Sequence, residues 1–490
     1  MKKLKLIKYI AVIAILFTGC DDLLNKPEPA TSVSGEVVLT SENGVNALRA
    51  SIYSKLRASF DYTTEYFVGP SAMADETRNR PGSSRFQGLT SANSSDGGTD
   101  GLSSYGSTYN ILLDANLMIG AVEADVLPQE TLDRYRGEAY AIRAFVMHHL
   151  VRSLGYEPGM AVDGFDLGIP IITSPTLDIS DVQPTPRATV SAIYEQILSD
   201  LAQAKTLLEG YNSDNTYITE AFVDGLTARV NLYAGNWAAA DAAATEAIAN
   251  ANSGGIVLVT DSATVADMFD ETGPDHPEAL FELEVNPDTE PIAGSAVNNG
   301  LAAYTATYWI AQVPTNFVID LYNAADNRLG WYGPCFDNSA GAPEDGCTDV
   351  NDEGWEIQKW NAEKGNATDD IPYMRIAEMY LIQAEARAKA NNSVAAGIGP
   401  LNTLRQARGL GPVAAVDFAT LTAFEDEILN ERVRELAVEG HRFWDLKRLG
   451  RNIPNPDGTT KIRYDSYRIL DNFGAGLLSA NPELVENPGY

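Results

Sequence analysis

ERVRELAVEGHRFWDLKR, residues 431–448, sets four acids (Glu431, Glu435, Glu439, Asp445), four arginines (Arg432, Arg434, Arg442, Arg448), a histidine and a tryptophan within eighteen residues. Such density suits an acid/base centre, a phosphate clamp or a folding element, and the spacing favours the last. Val433, Leu436, Ala437 and Gly440 recur at i, i+3, i+4 and i+7, which lays one apolar stripe along a helix. Glu431 and Arg434 stand three residues apart, the spacing of an ion pair on one helical face. Gly440 permits a close crossing or a break, and Phe443, Trp444, Leu446 and Leu449 begin a second apolar face. The stretch is expected to pack in a core with its charges paired, not to carry catalysis.

Helical periodicity extends outward from it. SENGVNALRASIYSKLRASF begins at a candidate N-cap, Ser41, and sets Val45, Leu48, Ile52 and Leu56 on one face. In LPQETLDRYRGEAYAIRAFVMHHLVRSLG, Leu132, Tyr135, Ala139, Ile142, Phe145 and His149 follow helical spacing, which puts His148 and His149 at a helix edge. TEAFVDGLTARVNLYAGNWAAADAAATEAIAN, 219–250, predicts two helices meeting at AGN. Alanines 228, 240, 243 and 247 allow close approach there, and Leu226, Leu232, Tyr233 and Trp237 fill the interface. One such hairpin cannot bury its apolar face alone and must stack on others, as in tetratricopeptide (TPR) units. MRIAEMYLIQAEARAKANN followed by SVAAGIGPLNTLRQARG has the same character.

The fold class predicted is mainly α: a TPR-like, right-handed helical-hairpin solenoid scaffold with helices near 40–60, 102–155, 187–250 and 373–450. A loop-rich, ligand-binding subdomain with a few short strands accompanies it. Irregular stretches near 66–105 and 251–372 are rich in turn-forming residues, with β-like runs GIVLVT and EALFELEV in the second. Loops this long inside a compact protein are often functional.

The chain opens MKKLKLIKYIAVIAILFTGC, with a lysine-rich start, a short apolar run and small residues before a cysteine: an export signal, residues 1–19, too short to span a bilayer. LFTGC resembles a bacterial lipobox, so Cys20 is the expected lipidation site, holding the protein to a membrane through acyl chains. A soluble secreted product of ordinary cleavage is the alternative. Residues 20–36 form a polar tether, and 37–490 the folded unit. Net charge is −32, and losing Lys2, Lys3, Lys5 and Lys8 takes it to −36. That field opposes nucleic acid as a partner. Cys335 and Cys347 make a candidate local disulfide, with two free thiols the alternative. No cofactor is expected. The acidic loop DNSAGAPEDGCTDVNDEG, 337–354, is the one candidate for a structural Ca²⁺, although it lacks EF-hand spacing and suits a solvated loop better.

ERVRELAVEGHRFWDLKR, YMRIAEMYLIQAEARAKAN at 373, LNTLRQARGL at 401, PTNFVIDLYNAADNR at 314 and LLSANPELVENPGY at 477 together resemble, in order, the motifs of the SusD/RagB family. These are lipid-anchored nutrient-binding proteins of Bacteroidetes, and Asp21 and Asp22 resemble their signal for the outer face of the outer membrane. The resemblance implies a non-enzymatic, surface-exposed protein that captures a glycan above a SusC-like TonB-dependent transporter and closes over it for import. Ligand sites in such proteins combine aromatic platforms with polar side chains from irregular regions, which suits sugars: C–H faces stack on rings and hydroxyls take hydrogen bonds. The candidates here are Tyr304, Tyr308, Trp309, Trp331 and Tyr332, with Asp75, Arg78, Asn79 and Arg80 as polar partners. Arg85, with Arg78 and Arg80, would suit an anionic sugar, but the overall charge repels polyanions, so a neutral glycan is the first expectation. Three alternatives stand beside it: a peptide-binding RagB-like protein, a lipid-anchored glycoside hydrolase with two carboxylates ~5 to 9.5 Å apart, and a TPR-type scaffold that binds only proteins.

Overall fold

A computed structural model describes residues 35–59, 64–80, 82–92, 102, 105–178, 181–269, 276–286, 301–306, 310–334, 355–360 and 369–490. The export signal, Cys20, Tyr308, Trp309, Cys335, Cys347 and the acidic loop 337–354 lie outside them. The protein is mainly helical with a few short strands. Ten helices carry the scaffold: α1 (Glu42–Ser59), α2 (Tyr105–Gly120), α3 (Gln129–Leu154), α4 (Val190–Leu207), α5 (Glu220–Tyr233), α6 (Trp237–Ser253), α7 (Ile376–Ala390), α8 (Val394–Ala407), α9 (Leu421–Leu436) and α10 (Arg442–Arg448). From α1 to α8 each packs on its neighbour in order, and α9 lies against α7. The array runs straight from α6 to α7 across more than a hundred intervening residues, because the apolar face of the α5–α6 hairpin needs a partner that no nearby segment supplies.

Local chemistry sets the elements. Thr189, Thr219 and Thr420 cap α4, α5 and α9, each hydroxyl accepting an N–H of the first turn. Gly235, at φ 73°, makes the AGN turn, and Ala228, Ala240, Ala243 and Ala247 are buried between helices. Val45, Leu48, Ile52 and Leu56 are buried as the periodicity of α1 requires. His148 and His149 sit in the core within α3, not at its edge, with the His148 ring edge-on to Tyr194 and Tyr233.

Four two-stranded antiparallel ladders join the loops: β1 (Thr77–Asn79) with β3 (Gln312–Pro314), β2 (Ala279–Leu283) with β6 (Ile371–Arg375), β4 (Tyr332–Pro334) with β5 (Trp355–Ile357), and β7 (Ile453–Pro454) with β8 (Thr460–Ile462). EALFELEV supplies β2, whereas GIVLVT forms no strand. Side chains take its polar groups instead: the Val259 N–H donates to Glu278, and its carbonyl accepts from Arg408.

Candidate functional site

The opening stretch is buried, and its charges are paired throughout. Glu435 receives Arg375 Nη1 at 2.8 Å, Arg408 Nε at 3.0 Å and Arg328 Nη1 at 3.1 Å. Burial alone would raise its carboxyl, but Arg408, Arg375 and Arg328 outweigh burial and hold it well below the usual carboxylate range. Arg375 also forks onto Glu439 at 2.7 and 2.9 Å, and Lys359 reaches Glu439 at 2.7 Å. Glu431 pairs with Arg434 at 2.8 Å, the spacing expected from the sequence. A second set links Arg229 to Glu378 at 2.6 Å, Arg432 to Asp445 at 2.6 Å, and Arg448 to Glu385 at 2.6 Å. The stretch thus bolts α5, α7, α8, α9 and the loop strands together.

Between α9 and α10 the chain breaks at Gly440, φ 76°, where a Cβ would lie 1.8 Å from the Tyr66 carbonyl oxygen. This close approach brings the signature against residues 64–76. Arg442 then grips Asp75 through a two-pronged fork, Nε–Oδ1 2.9 Å and Nη2–Oδ2 3.0 Å. Asp75 therefore anchors the loop. Next to it, Glu76 is buried, and burial pushes its carboxyl up to about 7 despite help from Ser71.

From that anchor β1 runs beside β3, with Thr77 opposite Pro314, Arg78 opposite Val313 and Asn79 opposite Gln312. Thr315 closes one end by donating to the Asp75 carbonyl at 2.6 Å, and the Arg80 N–H reaches the Ala311 carbonyl at the other at 3.0 Å. The two candidate segments, more than two hundred residues apart, thus form one wall. Tyr304 packs edge-on to Phe86 at 5.0 Å, and the Arg85 guanidinium lies 5.6 Å from the Tyr304 ring centre. Three non-glycine residues here hold left-handed backbone, Phe86 (φ 59°), Ala92 (φ 58°) and Ile310 (φ 41°). Such outliers concentrate at ligand clamps, where neighbouring structure sustains the strain.

The candidates divide by role. Asn79 spends its amide on bracing: its oxygen accepts from Thr90 and Gln312, and its nitrogen donates to Ser83 and Arg85 carbonyls. Arg80 and Tyr304 are buried, while Arg78 and Arg85 are half-buried in the wall. Trp331 and Tyr332 lie elsewhere, in the core. The Trp331 indole N–H donates to the Val265 carbonyl at 2.7 Å, with Lys359 Nζ 4.5 Å from its ring and Phe269 edge-on to it; Tyr332 packs on Tyr322 at 5.4 Å. Burial leaves these two rings no face for a ligand. Gln312, Thr315 and Arg442, which shape the wall, carry no site signal in the sequence because each acts through a partner more than two hundred residues away, and Thr90 carries none because its partner Asn79 lies across a turn. Among the described residues no group of three or more His, Cys, Asp or Glu is placed to hold a metal ion, and no helix is long and apolar enough to cross a membrane.

Residues 333–490 match the SusD family model, and residues 35–232 match one described as starch-binding associating with outer membrane. Over its whole length the chain is 24% identical to all of the SusD-like protein P38 of Formosa agariphila; SusD-like protein P2 of the same organism is 25% identical, the match covering 78% of this chain and 79% of that one. Among solved structures, a SusD-like carbohydrate-binding protein of Bacteroides vulgatus superposes with a TM-score of 0.71 at 21% identity, covering 89% of this chain and 97% of that one. A laminarin-binding SusD-like protein gives 0.70 at 20% identity, covering 92% and 100%. The helical stack, the buried signature that locks it and these matches agree: the chain belongs to the SusD/RagB family.

Proposed function

We propose that this protein is a non-catalytic, cell-surface glycan-binding lipoprotein, anchored through Cys20 to the outer membrane, which captures a neutral oligo- or polysaccharide and passes it to a SusC-like TonB-dependent transporter. The observation that carries this reading is the wall formed by β1 and β3, where half-buried Arg78 and Arg85 stand on braced loops backed by the buried rings of Phe86 and Tyr304. The carbohydrate- and laminarin-binding character of its structural relatives supports the ligand class, and the outer-membrane description of a matched family supports the location. Asp75, the wall's acid, is tied up by Arg442 rather than poised as a nucleophile, which disfavours a hydrolase.

Affinity electrophoresis against neutral and acidic polysaccharides tests the proposal. A neutral polymer is expected to retard the protein, and Trp309→Ala to weaken that retention by ~0.5 to 1.5 kcal/mol, one stacking contact. Absence of retardation by every polymer, with capture of peptides instead, would overturn it in favour of a peptide-binding role.

A further inference from the structure

A cleft of about 690 Å³, open to solvent, lies at the β7–β8 hairpin, lined by Asn452, Thr460, Lys461, Arg463, Tyr464 and Asp465. Its volume is in the range of small-molecule sites. The strand period explains the lining. Ile462 is buried in the core, so Lys461 and Arg463 on either side of it project to the opposite face. Tyr464 is held in place by its hydroxyl, which donates to the Met160 carbonyl at 2.9 Å, and by Tyr156, whose ring centre is 5.8 Å away. Asn452 accepts the Tyr464 N–H through its side-chain oxygen at 2.9 Å, which leaves its NH₂ to donate.

Lys461 is the unusual member. Half-buried, it donates to the Ala74 carbonyl at 2.7 Å and the Ala72 carbonyl at 3.3 Å, and no carboxylate among the described residues lies within 4 Å of its ammonium. An ammonium has three N–H donors, so one remains for the cavity. Burial lowers this ammonium to about 8, with Asp75 partly restoring it: the site holds a positive charge short of a partner. Arg463 pairs with Asp465 at 2.6 and 2.8 Å, but both are exposed, and such a pair is weak enough to be exchanged for a ligand.

We infer that this cavity is a second saccharide subsite, selective for an anionic substituent, with Lys461 and Arg463 receiving the charge while Tyr464 and Asn452 engage the ring. The inference rests on the saccharide-binding reading above and adds a ligand class at a different place. A uronate carboxylate and a sulfate ester share the required chemistry. The −32 background repels long polyanions, so the substituent belongs on a short or otherwise neutral chain. Through Ala74 the subsite adjoins Asp75 and the start of β1, next to the first wall.

Methyl β-glucuronide, glucose 6-sulfate and methyl β-glucoside, titrated by ligand-observed NMR at low salt, separate the possibilities. At least one anionic sugar is expected to bind roughly fivefold tighter than the neutral one, the scale of one partly exposed charge-assisted hydrogen bond. The tighter of the two identifies the anion. Lys461→Met should abolish the preference and Arg463→Ala, at an exposed position that folding does not need, should reduce it. Equal binding of all three, or a preference unchanged in both variants, overturns the subsite. If polysaccharide retardation persists while the anion preference is missing, the subsite alone falls. If no saccharide binds at all, both readings fall.

Discussion

Glu435 is wrapped by three guanidiniums; each keeps a second carboxylate, Arg375 with Glu439, Arg408 with Glu278 and Arg328 with Asp326, so its removal leaves the buried network one negative charge short. Deleting one partner of a buried charge network typically costs about 3–5 kcal/mol, because the remaining charges lose their compensation. Glu435→Ala is expected to destabilise by that order in urea unfolding, with Glu435→Gln between it and wild type. A loss below about 1 kcal/mol would mean the network behaves like exposed ion pairs. At this scale the sequence was legible where partners are close along the chain. Glu431 and Arg434 announce themselves by spacing, but Glu435 gives no sign of Arg375 or Arg328, which come from other elements. Trp331 was equally opaque, since an aromatic in a polar loop has the same composition whether it meets a ligand or, as here, Val265 and Lys359.

Between elements, the decisive joint is the fork from α10 to Asp75, two residues before β1. Arg442→Ala should leave the helical stack folded while freeing the 74–80 segment, so amide exchange there is expected to quicken by about tenfold, the effect of a loss near 1.4 kcal/mol. Ligand affinity should drop along with it. Unchanged exchange at Thr77–Asn79 would show that pairing with β3 suffices without the anchor. Helices were readable because the 3.6-residue period is local. Ladders were not: β1 is three residues long and its partner lies more than two hundred residues away, while GIVLVT has strand composition but is satisfied by side chains of the charge network. Asp75, Arg78, Asn79 and Arg80 are candidates by residue type alone, and only the ladder and its bracing bonds show which of them hold the wall together.

For the molecule as a whole, the buried titratable groups set a pH profile. All four histidines (148, 149, 276 and 441) are buried, and burial together with nearby arginines holds each well below its ordinary value. The unfolded chain can therefore take up protons below about pH 6.5 that the folded chain refuses, so stability falls as pH drops through that value. Glu76 has the opposite sign: raised to about 7, it keeps a proton in the folded state that the unfolded chain releases above roughly pH 4.3, so its contribution declines as pH rises between them. Glu138, Asp224 and Glu278 are raised by burial too, whereas Glu378, Glu425, Glu431, Glu435, Glu439 and Asp445 are held low by their cationic partners and, like the histidines, contribute stability that is lost as pH falls. Thermal unfolding should show a midpoint highest near neutrality and falling by about pH 5.5, and Glu76→Gln should raise the midpoint in mild alkali while changing little near pH 4. A midpoint flat from neutral to acid would contradict the histidine assignment.

The contacts that fasten the first wall span nearly the entire polypeptide: Arg442 to Asp75 across 367 residues, Arg468 to the Ala92 carbonyl across 376, and Lys461 to Ala72 across 389. Contacts of such separation form late, since the loop between them must close first. While the ribosome works from the N-terminus, helices α1 to α6 can begin to stack, but residues 72–92 gain their β3 partner only after residue 315 and their Arg442, Lys461 and Arg468 anchors only when the last helices emerge. The wall's full bracing thus arrives at the end of synthesis. A message cut short before codon 442 would yield a partly helical stump whose 72–92 segment never gains these anchors.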